Sequence, residues 1–207
     1  MKNILLLIFL LVVFFTKSSF ALIEIDITRG NLNPLPVAVS PLYVESKSSE
    51  ALKELKVGSE ISKIIETNLL RSGLFNPLEE DSFVQKPDIA HLKPRFEDWK
   101  LIKAQALITG KINIDDDKLR VEFRLWDVLA AKEMMALAFT TVPNNWRRIA
   151  HIITDKVYQR LTGEEGYFDT RIIYVSEKGP KNQRIKKLAI MDQDGANTKY
   201  LTLGNEL

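Results

Sequence analysis

Apolar residues alternate with polar ones near the start of the chain. Residues 22–30, LIEIDITRG, place Ile23, Ile25 and Ile27 on one face and acidic or hydroxyl side chains on the other. This period of two predicts a half-buried or edge strand. The continuous apolar stretch 35–43, LPVAVSPLY, is bounded by prolines and predicts a short buried strand.

Two longer segments, residues 48–75 and 144–163, have the spacing of amphipathic helices. The first has an apolar stripe formed by Val57, Ile61, Ile64, Ile65 and Leu69. The second has an apolar stripe formed by Trp146, Ile149, Ile153, Val157 and Leu161. Asn144 or Asn145 is expected to cap the second helix, and Gly163 to end it.

The region between these helices predicts a short helix after Pro94 and three strands in a meander. The strands cover residues 104–114, 118–128 and 132–142. The run of aspartates at 115–117 forms the first turn, because short polar side chains favour turns. The predicted sheet is therefore mostly antiparallel.

The fold class predicted for residues 22–163 is a mixed α/β (α+β) domain, with helices packed on a mostly antiparallel sheet. Residues 164–168, EEGYF, predict a hinge-like link. Residues 169–207 have a different rhythm, with short strands separated by turns. We therefore expect this last segment to be all-β.

Residues 1–21 have the order of features found in a secretory signal peptide. Lys2 is followed by an unbroken apolar run at 4–15, and small residues occupy the positions before the expected cleavage between Ala21 and Leu22. The run is shorter than the roughly 20 residues of a typical spanning helix. The alternatives are an uncleaved anchor and a buried helix.

Composition narrows the functional classes. The chain has 207 residues, 45% of them hydrophobic and 27% charged, as in an ordinary globular protein. Removing Lys2 and Lys17 with the leader takes 29 basic residues to 27, which equals the 27 acidic ones. Because this balance creates no strong field, we predict no nucleic-acid partner and no stable insertion into a membrane after the leader is cleaved. With no cysteine, disulfides, thiolate zinc sites, cysteine nucleophiles and lipid attachment at cysteine are excluded.

Candidate chemistry is sparse. His91 and His151 are the two histidines, and we interpret His151 as a satisfied structural residue because no carboxylate lies at ligand spacing near it. The segment 191–195, MDQDG, lacks most of a calcium loop and predicts an Asp-Gly turn. Neither a nucleophile elbow nor a phosphate-binding loop is present. We therefore predict no enzyme activity, no catalytic residue, no cofactor and no metal site.

Several segments resemble the TolB family of the periplasmic Tol-Pal envelope system. They are IEIDITRGNLNPLPVAVSPL, LLRSGLFNPLE, ALITGKI, VEFRLWDV and NWRRIAHIITDKVYQRLTGEEGYFDTRIIYVSE. The resemblance implies an N-terminal α/β domain followed by a six-bladed β-propeller. Residues 169–207 then correspond to the start of the first blade, and this blade is incomplete. Since a lone blade cannot bury its apolar faces, we expect this tail to be mobile or to pair opportunistically while residues 22–163 fold. We also expect a protease to cut between Glu165 and Asp169.

The resemblance also implies a function in protein–protein contact. In the family the mature N-terminal strand engages TolA, and its counterpart here is formed by Leu22, Ile23, Glu24, Ile25, Asp26 and Ile27. The alternative is that this strand completes the sheet of its own domain. The family's propeller binds Pal, and its later blades have no counterpart in this sequence. The implied role is in outer-membrane integrity and constriction during cell division.

Other interpretations remain open for the chain as a whole. Three interpretations are compatible with the sequence: a functional N-terminal module, one piece of a split gene, and a decaying remnant without Pal binding. A small exported enzyme or ligand-binding domain on a common α/β scaffold is the alternative from another class.

Overall fold

The computed structural model describes residue 23 and residues 33–45, 56–115 and 118–204, without the side chain of Asp115. The predicted leader and most of the predicted N-terminal strand lie outside these residues. The strands are β1 (Leu35–Val39), β2 (Tyr43–Val44), β3 (Phe75–Pro77), β4 (Ala106–Asp115), β5 (Lys118–Asp127), β6 (Lys132–Thr141), β7 (Arg171–Lys178), β8 (Ile185–Asp192) and β9 (Lys199–Tyr200). The α-helices are α1 (Val57–Arg71), α2 (Pro87–Ala90), α3 (Phe96–Leu101) and α4 (Trp146–Thr162).

The main sheet is mixed, in the order β3-β1-β4-β5-β6, with β2 also paired to β4. The long strands β4, β5 and β6 form the predicted antiparallel meander. The short strands β1, β2 and β3 add to it in parallel. The predicted fold class is confirmed.

Helices cover both faces of this sheet. Successive residues of a strand point to opposite faces, and in β4 Ala106 and Ile108 belong to the main core, whereas Leu107 belongs to a second cluster around Trp99. The main core includes the apolar stripes of α1 and α4, which lie against each other and the sheet. The second cluster lies under the segment that carries α2 and α3.

The two long helices follow the predicted stripes, but one cap differs. Gly163 ends α4 with a φ of 78°, and its amide donates to the Gln159 carbonyl at 2.9 Å. Asparagine capping of α4 is wrong: the side chain of the N-cap residue, Asn145, makes no capping hydrogen bond and donates to Thr141 Oγ1 at 3.0 Å instead. A 3₁₀ turn at Pro143–Asn145 leads into the helix, so the amide of Trp146 bonds to the Pro143 carbonyl.

The C-terminal strands form a second, three-stranded antiparallel sheet in the order β7-β8-β9. The apolar side chains of β7 are exposed, as expected for strands that lack a covering layer; the exposed fraction of Ile173 is 61%. Ala189 on β8 is buried. The division of the chain near residue 163 stays a prediction.

Candidate functional site

The N-terminal partner strand predicted from the sequence falls almost wholly outside the described residues. Ala21, Leu22, Glu24, Ile25, Asp26 and Ile27 belong to that part of the chain. Ile23 is described: its side chain is half-buried and packs against the main core. One apolar residue of the predicted strand therefore contacts the chain's own domain.

A second candidate site lies where the second sheet meets the helices. The turn after β8 is the Asp-Gly turn predicted from MDQDG: the Gly195 amide donates to the Asp192 carbonyl at 2.9 Å, and Gly195 has a φ of 88°. Glycine adopts this left-handed conformation at little cost. The turn brings Gln193 and Asp194 against α1 and α4.

Gln193 connects the turn to α1. Its side-chain amide donates to Asn68 Oδ1 at 2.8 Å, and its carbonyl accepts from Arg71 Nη2 at 3.4 Å. The Asn68 side chain is buried and also donates through Nδ2 to Thr154 Oγ1 of α4 at 3.2 Å. One amide therefore links the two helices and the C-terminal turn.

His151 of α4 lies beside this amide. Its Nδ1 is 2.9 Å from Asn68 Nδ2, but its buried Nε2 has no hydrogen-bond partner among the described residues. Asp194 Oδ2 lies 3.6 Å from Nε2. The prediction of a satisfied histidine with no carboxylate near it is thus wrong, because the turn carries Asp194 across a sequence separation that spacing rules do not cover. Burial lowers the pKa of His151, and the charge of Asp194 opposes that shift.

Two arginines of the first turn of α4 pair with acids from the C-terminal segment. Arg147 contacts Asp194 through Nη2 and Oδ2. Arg148 makes a forked contact with Asp169, with Nε and Nη2 each within 3.2 Å of a carboxylate oxygen. The forked pair is geometrically specific, and it raises the pKa of Arg148.

A cavity of about 600 Å³ opens between the start of α4 and β8. Its wall includes His151, Asp169, Asp192, Arg171 and Lys199. Imidazole, carboxylate and cationic groups therefore meet at one junction. Such a group can hold a polar segment or a small ligand by hydrogen bonds and charge.

The predicted hinge-like link packs against α4. The Asp155 carboxylate accepts hydrogen bonds from the Phe168 and Asp169 amides at 2.7 and 3.0 Å, and the Phe168 ring is buried. Gly166 passes so close to α4 that a Cβ there would lie 2.4 Å from Asp155 Cα. These contacts connect the second sheet to the first domain.

Within the part of the chain that the structure describes, no helix combines the length and the apolar character needed to cross a bilayer. The described architecture is a mixed α/β domain that carries a small antiparallel sheet attached through polar contacts. The fold therefore defines the class as an α/β domain followed by a small antiparallel sheet, with a polar junction between the two sheets.

Comparison with known proteins assigns the family. The TolB amino-terminal domain profile matches residues 23–134. The Tol-Pal system protein TolB of Pelagibacter ubique (strain HTCC1062) is 72% identical over 204 residues, which are 97% of this chain and 46% of that protein. The crystal structure of TolB from Acinetobacter baumannii has a TM-score of 0.65 at 23% identity, covering 87% of this chain and 41% of the other. The chain belongs to the TolB family, and it spans about half the length of the curated relative.

Proposed function

We propose that this chain is a periplasmic component of the Tol-Pal system and acts by protein–protein contact rather than by catalysis. The observation that carries the proposal is the 72% identity to a Tol-Pal system protein along nearly the whole chain. The role that follows is a contribution to outer-membrane integrity and to constriction during cell division. Export through the leader at residues 1–21 is part of the same proposal.

The proposed docking element for TolA is the strand Leu22–Ile27. Its alternating pattern suits addition to the edge of a partner's sheet, where main-chain hydrogen bonds give affinity and alternate side chains give specificity. The half-buried Ile23 lies against the main core, so one residue of the proposed strand also contacts its own domain. An edge strand of this kind can pair with either surface.

Deletion of residues 22–28 tests this assignment. We expect the deletion to remove measurable binding of the purified protein to TolA while the circular dichroism spectrum stays unchanged. Unchanged affinity with an intact fold would refute the docking role.

Paired substitutions sharpen the test. Ile25→Asp with Ile27→Asp alters the apolar face of the strand, and Glu24→Ser with Asp26→Ser alters the polar face. The apolar pair should weaken TolA binding by at least about tenfold, because burying two carboxylates against a sheet costs several kcal/mol. The polar pair is the matched control and should have the smaller effect.

Pal binding is not proposed for residues 1–207 alone. The family resemblance assigns Pal contact to the propeller, and residues 169–207 correspond to the beginning of one blade. A pull-down with Pal and TolA in parallel should therefore recover TolA. Recovery of Pal by this chain would contradict the assignment.

A further inference from the structure

We propose that His151, Asp192 and Asp194 form a binding site for a divalent transition-metal ion of the Zn²⁺ type. Each of the three residues offers one ligand atom, and these atoms all lie within 4.8 Å of one another. The site lies at the junction of α4 and the turn after β8, and it does not depend on the docking of a partner.

The buried imidazole of His151 distinguishes this cluster from a group of surface carboxylates. Its side chain is only 3% exposed, and Nε2 lies without a hydrogen-bond partner among the described residues. The residue lines the cavity beside β8. A buried ring nitrogen without a partner is unfavourable, and a metal ion at Nε2 would satisfy it.

The two carboxylates retain ligand capacity. Asp194 Oδ1 accepts from the Ala196 amide at 3.0 Å, and Oδ2 contacts Arg147 and lies 3.6 Å from His151 Nε2. A carboxylate oxygen has two lone pairs, so Oδ2 can bind an ion while Arg147 supports it from outside, as partners of metal ligands commonly do.

Asp192 contributes the third ligand atom. Its Oδ2 accepts from Asn197 Nδ2 at 2.6 Å, and its Oδ1 lies 3.9 Å from Arg171 Nε, which is longer than a hydrogen bond. The Arg171 side chain is 66% exposed and can turn toward solvent. Arg148 does not compete for the site because it is paired with Asp169.

The donor set selects the class of ion. One imidazole and two carboxylates, completed by water, suit Zn²⁺ and its first-row neighbours better than Ca²⁺, which takes six or more oxygens. The ion would also offset the negative charge of two acids that lie close together. The cavity leaves room for water at the remaining positions.

Coordination through Nε2 requires the ring proton on Nδ1, which then needs an acceptor. The neighbour of Nδ1 is Asn68 Nδ2 at 2.9 Å, and half a turn of the side-chain amide exchanges its nitrogen and oxygen without changing the shape of the group. The Thr154 hydroxyl, which accepts from Nδ2 and donates to the Ala150 carbonyl, then turns its proton toward the Asn68 oxygen. Gln193, bonded to the other end of the amide, turns in the same way. Asn68 is thus a positioning residue for the metal ligand.

Titration of the purified, EDTA-treated protein with Zn²⁺ tests the proposal by calorimetry. We expect one equivalent to bind and the melting temperature to rise with Zn²⁺ concentration. His151→Gln and Asp192→Asn should each weaken binding by at least about tenfold, in line with the sensitivity of metal sites to their ligands and supports. If His151→Gln does not fold, the partly exposed Asp192→Asn decides the matter.

Three further variants separate this site from others. Asp169→Asn combined with Arg148→Gln removes an acid of the same cavity that is outside the cluster, together with the arginine that it pairs with, and His91→Gln removes the other histidine; both should bind Zn²⁺ as the original chain does. Asn68→Asp supplies a fixed acceptor for Nδ1 and should tighten binding by about tenfold or more. No binding at millimolar Zn²⁺, binding abolished by His91→Gln, or binding unchanged by His151→Gln and Asp192→Asn would each overturn the proposal.

Discussion

Asp155 Oδ1 accepts a hydrogen bond from the backbone amide of Phe168 at 2.7 Å. The two residues are 13 positions apart, and their hydrogen bond attaches the link at residues 164–168 to α4, the helix that precedes it. The second oxygen of the same carboxylate accepts from the Asp169 amide at 3.0 Å. One side chain therefore fixes the entry into the second sheet.

Replacing Asp155 should loosen this link. In Asp155→Ala, two partly buried amides lose their charged acceptor, and we expect the free energy of unfolding to fall by about 1–3 kcal/mol. Limited proteolysis should then cut between Glu165 and Asp169 faster than in the original chain. Arg148→Gln is the control: it removes an exposed ion pair with Asp169 and should cost less than about 1 kcal/mol. Equal effects of the two variants would contradict the role given to Asp155.

Gly166 should tolerate no side chain. In Gly166→Ala the new Cβ would lie 2.4 Å from Asp155 Cα, so the link must move away from α4 and we expect a loss of about 1–3 kcal/mol. Gly163→Ala is a matched control: apart from its own chain neighbours and helix backbone, nothing in the described part of the chain lies within 4 Å of the Cβ position, so the change acts through a φ of +78°. That conformation costs an alanine about 1–2 kcal/mol.

Urea denaturation of both glycine variants measures the free energies, and proteolysis at the link distinguishes the causes. Only Gly166→Ala should accelerate cleavage between residues 164 and 170. Faster cleavage in Gly163→Ala alone would place the constraint in the helix end and not in the close approach.

Gln85 should hold the segment that covers Trp99. Its buried Oε1 accepts from Trp99 Nε1 at 3.1 Å and from the Arg95 amide at 2.9 Å, and its Nε2 donates to the Lys93 carbonyl at 3.0 Å. In Gln85→Ala the indole N–H loses its acceptor, and we expect a loss of about 1–3 kcal/mol. Tryptophan fluorescence should also shift as water reaches Trp99; an unchanged spectrum with unchanged stability would contradict this role.

The stability of the domain should decrease as the pH rises toward neutrality, through Glu66 of α1. Burial, followed by the charges of Glu80 and Glu79, raises its pKa from 4.5 to about 7. The folded state then binds more protons than the unfolded state between pH 4.5 and 7, so the free energy of unfolding decreases across this window as the pH rises.

Glu66→Gln removes the titrating group and should make the chain more stable at pH 8, by about 1 kcal/mol or less because solvent screens a half-exposed group. Urea midpoints between pH 4 and 8 measure the effect. Glu60→Gln is the control for the loss of one carboxylate from the same helix. A steeper pH dependence in Glu66→Gln than in the original chain would show that the sign is wrong.

The helices and strands could be predicted from the sequence because the spacing of apolar residues within each element determines which of its faces is buried. Ile61, Ile65 and Leu69 recur at helical spacing and are all buried in α1. The alternating residues Leu119 and Val121 of β5 are buried in the same way. An amphipathic element packs its apolar face against the core, and the spacing of its apolar residues shows which face that is.

The junction could not be predicted in this way. His151 meets Asp194, and Asn68 meets Gln193, across separations that no periodicity encodes. The parallel pairing of β1 with β4 could not be predicted either. A short apolar run indicates a buried strand but does not identify the strands beside it. The asparagine cap was mispredicted for a local reason. The Trp146 amide at the helix start donates to the Pro143 carbonyl of the 3₁₀ turn, and the Asn145 side chain donates to Thr141.

The contact between Asn68 and Gln193 spans 125 residues of chain. The entropy cost of closing a chain loop grows only slowly with its length. Asn68 also donates to Thr154 of α4 across 86 residues, so the packing of the two helices already brings α4 beside α1. Once the helices are packed, only the chain between Thr154 and Gln193 has to close for the turn to reach Asn68. The second sheet is therefore attached by closing a loop much shorter than the separation of Asn68 and Gln193 in the sequence.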